Sequence, residues 1–139
     1  MRIEILDLWP GVGNGGATGI AFSGTYGRAW AGWRGSEEPV AGAFADVEVD
    51  IPDEITCWAV ADGPAIIASD SLEAPVRIRG VVESADEDSV LALRVGADLL
   101  LVEVAAFAAS LLPGHVDKPR VGDSIEITTS RIDVHPYSV

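Results

Sequence analysis

Phe44-Ala45-Asp46-Val47-Glu48-Val49-Asp50-Ile51 alternates without a break: Val47, Val49 and Ile51 fall to one side, Asp46, Glu48 and Asp50 to the other. A period of two residues is that of an extended strand with one face on a core and one in water. Pro52-Asp53 ends the run. Upstream, Gly35 to Pro39 makes a turn, and Ile20 to Trp33 carries Phe22, Tyr26, Trp30 and Trp33 among glycines 24, 27 and 32. That mixture predicts bent or bulged strand, not helix. Pro10 to Gly19 is too rich in glycine for either element and is a loop. Before it, Arg2 to Trp9 alternates, with Ile3, Ile5 and Trp9 opposed to Arg2, Glu4, Leu6 and Leu8, the pattern of a strand packed on both faces.

Downstream, Ile55 to Val60 and Ala65 to Ala68 flank Asp62-Gly63-Pro64, whose turn residues predict a hairpin. Pro75 to Glu83 alternates, Ser84 to Asp88 is a polar turn, and Val90 to Val95 continues the meander to Gly96. Asp98 before Leu99-Leu100-Leu101 could cap one helix ending at Pro113-Gly114. The β-branched Val102 and Val104, and the Gly96-Ala97-Asp98 turn, favour a strand over Leu99 to Val104 followed by a short helix over 105–112. Val121-Gly122-Asp123 introduces a strand from Ser124 to Thr129, and Ile132 and Val134 mark a last one running to Tyr137. About eight short strands with one short helix near 105–112 predict a mainly β fold, a small antiparallel barrel or sandwich. At 139 residues the chain fits one domain, 1–139. The meander from Val76 to Val104, the short helix and the strand entered by Gly122-Asp123 resemble, in order, the elements of small oligonucleotide-binding-type barrels. The resemblance is one of architecture over the last half of the chain and implies a barrel, not a function.

The chain carries 22 carboxylates against nine lysines and arginines, a net charge of −13. Ten of those carboxylates lie between Gly35 and Val76, a stretch with no lysine or arginine. A patch of one sign attracts partners of the other sign and raises their encounter rate. The bland explanation is an acidic proteome, from high-GC coding or a salty cytoplasm, to which the single Lys118 beside eight arginines also points. It accounts for the total better than for the clustering. The charge argues against nucleic acid, whose affinity comes from lysine and arginine on phosphates. The opening Met1-Arg2-Ile3-Glu4-Ile5 lacks the basic-then-apolar layout of a secretory signal, so a cytoplasmic location is expected. The longest apolar tract, Leu99 to Leu112, contains Glu103 and falls short of the ~20 residues of a membrane span. No membrane association is expected.

Motifs for chemistry are weak. Gly11-Val12-Gly13-Asn14-Gly15-Gly16 matches G-x-G-x-x-G, but no amphipathic helix follows to hold a pyrophosphate, so a loop is the preferred meaning. Cys57 stands alone, which excludes an intrachain disulfide and a cysteine zinc site, and its place beside Ile55 and Ala59 suits a core filler. His115 and His135 are distant and have no metal-ligand spacing. Asp86-Glu87-Asp88 has Leu91 where a calcium loop needs glycine. No cofactor and no metal is expected, and no pair of carboxylates stands out as acid and base.

The leading expectation is a non-enzymatic acidic binding protein that docks on a basic protein and inhibits it. In general character, though not by a shared motif, it is similar to the small acidic immunity proteins of bacterial toxin systems. Asp46, Glu48 and Asp50 would stand about 6 to 7 Å apart along one strand face, ready for arginine and lysine. Glu37, Glu38, Asp53 and Glu54 extend the charge, and Trp58 or Trp33 would supply an apolar anchor. The alternative is a small-molecule-binding β-barrel with an aromatic site of Tyr26, Arg28, Trp30 and Trp33. A small enzyme using carboxylates of the acidic segment comes third.

Overall fold

The structure, a computed structural model, describes residues 1–11, 16–86, 89–110 and 119–137, with side chains as far as Ala105 in the third stretch. The protein is mainly β. In chain order the strands are β1 (Arg2–Trp9), β2 (Gly19–Gly24), β3 (Gly27–Trp33), β4 (Phe44–Asp50), β5 (Ile55–Val60), β6 (Ile66–Ala68), β7 (Val76–Ala85), β8 (Val90–Val95), β9 (Asp98–Ser110), β10 (Ser124–Thr129) and β11 (Asp133–Pro136).

Pairing closes these strands into two rings. The first runs β1-β2-β3-β11-β4 and back to β1; every pairing is antiparallel except β3 with β11. The second runs β7-β8-β9-β5-β10 and back to β7, again with a single parallel pair, β9 with β5. Each ring is a small five-stranded barrel in which the third strand pairs with a fifth that arrives from elsewhere in the chain, the Greek-key character of the oligonucleotide-binding-type architecture. β10 stands in the second barrel where β4 stands in the first. Strand β6 joins them, pairing with β7 while Ile67 and Ser69 donate their N–H groups to the carbonyls of Tyr26 and Arg28 beside β3.

Alternation fills both interiors. Ile3, Ile5, Ile20, Phe22, Val47 and Val134 are buried in the first barrel, and Val76, Ile78, Leu93, Val102, Ile125 and Ile127 in the second. The buried side chains of both barrels form one connected apolar cluster. The two hairpin tips meet: the Tyr26 hydroxyl donates to Asp98 at 2.9 Å and accepts from the Ala97 N–H at 2.9 Å. Gly96 has a φ of +60°, and a side chain there would collide with the Tyr26 ring.

Three sequence expectations need correction. Ile20 to Trp33 is two strands joined by the Thr25-Tyr26 turn, not one bent strand. No hairpin forms at Asp62-Gly63-Pro64: β5 pairs with β9 and β10, β6 with β7. The helix expected over 105–112 is strand as far as Ser110, because β5 offers its edge to β9 at Cys57↔Ala109 and Trp58↔Ser110. Ladder partners override a local helical preference. Residues 111 and 112, 12–15 of the glycine-rich motif, 87 and 88 of the acidic turn, and His115 lie outside the described residues.

Candidate functional site

The alternation of 44–50 is realised in β4. Val47 is fully buried, while Phe44, Asp46, Glu48 and Asp50 face outward and are exposed. Directly opposite residues of antiparallel neighbours share a face, so the register fixes what surrounds the row. Arg2 on β1 stands opposite Asp46, and on β11 His135 stands opposite Glu48 and Asp133 opposite Asp50. Tyr137 donates its N–H to the Asp46 carbonyl at 3.0 Å and is 58% exposed. Phe44 is 59% exposed, with the Arg2 guanidinium 5.3 Å from its ring centre. The surface therefore has an aromatic end at Phe44 and Tyr137 and an acidic end at Glu48 and Asp50.

Few of the acids are neutralised locally. Asp46 has Arg2 at 3.7 Å, with both side chains largely in water, a pair that contributes little. Among the described residues Glu48 and Asp50 have no ion pair. Beside Asp50 on the neighbouring strand, Asp133 is buried and held by Arg34, whose Nε lies 3.1 Å from Asp133 Oδ2. Gly32 makes this possible, since a side chain there would come within 2.5 Å of Asp133 Oδ1. Arg34 thus balances the buried carboxylate and leaves the outer row its full charge.

The other sequence-derived residues are dispersed. Glu37 and Glu38 are exposed on the loop after β3, where the Glu37 carbonyl accepts from Trp33 Nε1 at 2.8 Å and Glu38 accepts from Thr18. Glu54 is exposed between β4 and β5, whereas its neighbour Asp53 is taken up by Arg131, with Nε to Oδ2 at 3.1 Å and Nη2 to Oδ1 at 3.3 Å. Trp58 offers no surface to a partner: it is 2% exposed inside the second barrel, directly across from Ile127 on the same inward face. The apolar side chains beside the acid row are Phe44 and Tyr137. Sequence reasoning passed over both because a lone exposed aromatic carries no periodic signal, and because the last strand brings Tyr137 beside β4 only in the closed ring.

Tyr26, Arg28, Trp30 and Trp33 do not share one cavity mouth. Arg28 and Trp30 border a shallow groove of about 250 Å³ with Leu6, Trp9 and Leu72, where Trp30 is buried and donates to the Ala74 carbonyl at 2.9 Å. Trp33 projects to the other side of β3 and borders an open groove of about 610 Å³ with Arg34, Pro136 and Tyr137. Tyr26 is occupied at the hairpin junction, where burial, ahead of the neighbouring Asp98, raises its pKa against the lowering effect of the Ala97 N–H. Cys57 is half-buried, and among the described residues no group of three metal-ligating side chains converges. Among the described residues no helix is long and apolar enough to cross a membrane.

Fold and surface together define a small acidic β-barrel protein with a carboxylate-lined strand face. Compared with protein-family models, curated proteins and solved structures, the chain matches none.

Proposed function

We propose that the outer face of β4 docks on a basic protein, and that the chain acts by occupying that partner's cationic surface. One observation carries the reading. β4 and β10 occupy equivalent places in two similar barrels, yet β4 shows water Asp46, Glu48 and Asp50 where β10 and the residue after it have Glu126, Thr128 and Ser130. Glu126 is tied to Arg79 at 2.9 Å. An acidic proteome or a need to charge the fold's surface would act on both strands alike. The row belongs to one barrel only.

The physical logic has two stages. The exposed carboxylates of the row, of which Glu48 and Asp50 have no ion pair among the described residues, steer a cationic partner during approach, and they can receive arginine in bidentate fashion on arrival. Phe44 and Tyr137, already out in water beside the row, supply apolar area whose burial slows departure. Charge sets the arrival rate and the aromatics the residence time.

The test uses the wild-type chain and the Asp46→Lys, Glu48→Lys, Asp50→Lys variant as baits in lysate of the native host. The substitutions point to solvent, so the variant keeps its fold by circular dichroism, and its net charge changes from −13 to −7, six units from three reversals. A basic protein should be retained by the wild type alone and released as salt rises. Equal retention by both baits sinks the proposal.

A further inference from the structure

The two barrels agree residue by residue in a way that the sequence hides. Add 77 to a β1 number, 71 to a β2 or β3 number and 80 to a β4 number, and the pairings among β1 to β4 become those among β7 to β10, except for Ile3↔Gly24 and Trp9↔Gly19 at the ends of the β1–β2 ladder. Glu4↔Ser23 and Ile5↔Phe22 become Val81↔Arg94 and Val82↔Leu93. The register shift of β1 between Ile5 and Asp7 becomes that of β7 between Val82 and Ser84. Gly24↔Gly27 becomes Val95↔Asp98, and Arg2↔Asp46 becomes Arg79↔Glu126, an ion pair in both cases.

Even the irregular hydrogen bonds correspond. Gly42 N–H to Ile5 C=O and Ile5 N–H to Ala43 C=O reappear as Gly122 N–H to Val82 C=O and Val82 N–H to Asp123 C=O. Trp33 N–H to Thr18 C=O reappears as Val104 N–H to Ser89 C=O. Gly42 and Gly122 both adopt positive φ, +87° and +94°. Shared strand order alone would not reproduce a bulge, a turn glycine and these single bonds at matching positions.

The fifth strands are then in the wrong barrels. Within each unit the fifth strand follows the fourth after a short link, β5 after β4 and β11 after β10. Yet β5 completes the ring of β7 to β10, and β11 completes the ring of β1 to β4. The links pass close to one another: Arg131 and Ser130 of one both bond Asp53 of the other, Ser130 Oγ at 3.3 Å. Pro52 holds Ile51 extended, which favours running on into the neighbouring barrel over a tight return. Short links of this kind are what drive exchange between identical subunits.

We infer that the chain is two copies of one five-stranded unit, residues 2–60 and 76–136, fused in tandem with their fifth strands exchanged. The edge of each barrel between its third and fourth strands is therefore a docking site for the last strand of an equivalent unit. The nearest such partner is supplied in the same chain, and a second copy of the chain carries the same strand. Neither barrel can close without the other unit, so the two stand or fall together.

The experiment cuts the folded chain once, at a protease site placed in the Asp62-Gly63-Pro64 loop, and asks which fragment holds which strand. Two cysteine pairs in a Cys57→Ser background report the exchange, Glu48→Cys with His135→Cys in the first barrel and Ala59→Cys with Glu126→Cys in the second. Each joins residues that stand directly opposite across strands of different units. A short bifunctional thiol reagent should return the cut protein to a single band on a denaturing gel. Two separate fragments in both variants overturn the inference, as does a cross-link between Thr128→Cys and His135→Cys, which lie on one fragment and are read by peptide mass mapping, because only an unexchanged barrel would bring them together. The pairs sit on different barrels, so a variant that fails to fold leaves the other to decide.

Discussion

Removing Arg34 exposes how the acid face is supported. The Asp133 side chain is 7% exposed and that of Arg34 29%. In Arg34→Ala the carboxylate stays trapped between Gly32 and the strand that carries Asp50, without a counter-charge. Breaking a fully buried pair from one side costs about 3–5 kcal/mol, and water reaching the open side of this pair brings the figure to about 2–3 kcal/mol. The reverse truncation, Asp133→Ala, is milder, because the Arg34 guanidinium can turn to solvent while a buried carboxylate cannot; the expected loss is about 1 kcal/mol. With a urea slope of about 2 kcal/mol per molar for a protein of this size, the midpoint should fall by about 1 M in Arg34→Ala and about 0.5 M in Asp133→Ala. Equilibrium urea unfolding followed by tryptophan fluorescence reads both. If Asp133→Ala is the more damaging of the two, or if Arg34→Ala shifts the midpoint by less than about 0.3 M, the account of a buried carboxylate held by one guanidinium is wrong.

Ile127→Ala, at a fully buried position of the second barrel, should cost about 2–5 kcal/mol and still give one cooperative transition, with far-ultraviolet circular dichroism and fluorescence coincident; two transitions would separate the barrels. Trp58 Nε1 is buried with no acceptor among the described residues, a cost of about 1–3 kcal/mol that any truncation removes, so Trp58→Phe, which keeps most of the packing, should change stability by less than about 1 kcal/mol in thermal melts, against a loss of about 3–5 kcal/mol in Trp58→Ala. Tyr26→Phe should lose about 1 kcal/mol near neutrality through its two hydrogen bonds. Because the Tyr26 pKa is raised in the fold above its ordinary 10.0, its contribution is complete below pH 10 and is lost as pH rises through the folded value, so wild type and variant should converge in alkaline melts.

What sequence alone determined is the local, periodic part. The strands at Arg2–Trp9, Ile55–Val60, Val90–Val95 and Ser124–Thr129 were legible to the residue, because a half-buried strand writes its period of two into the chain. The outward row of Asp46, Glu48 and Asp50 was legible for the same reason. Partnership was not. Asp62-Gly63-Pro64 has turn chemistry, but turn residues do not say whether the flanking strands pair, and here β5 leaves for another ring. Trp58 and Phe44 are alike in composition, and only the closure of the barrels puts one inside and the other in water. The repeat is hidden in the sequence because its offsets change at the loops and its aligned residues, such as Phe22 with Leu93 or Gly32 with Glu103, agree in backbone role more than in identity. Register is set by long-range hydrogen bonds, which no local pattern encodes. The charge of the surface was therefore fixed by the order of the residues, while its neighbours, its aromatic rim and the exchange that holds it in place were decided by tertiary pairing.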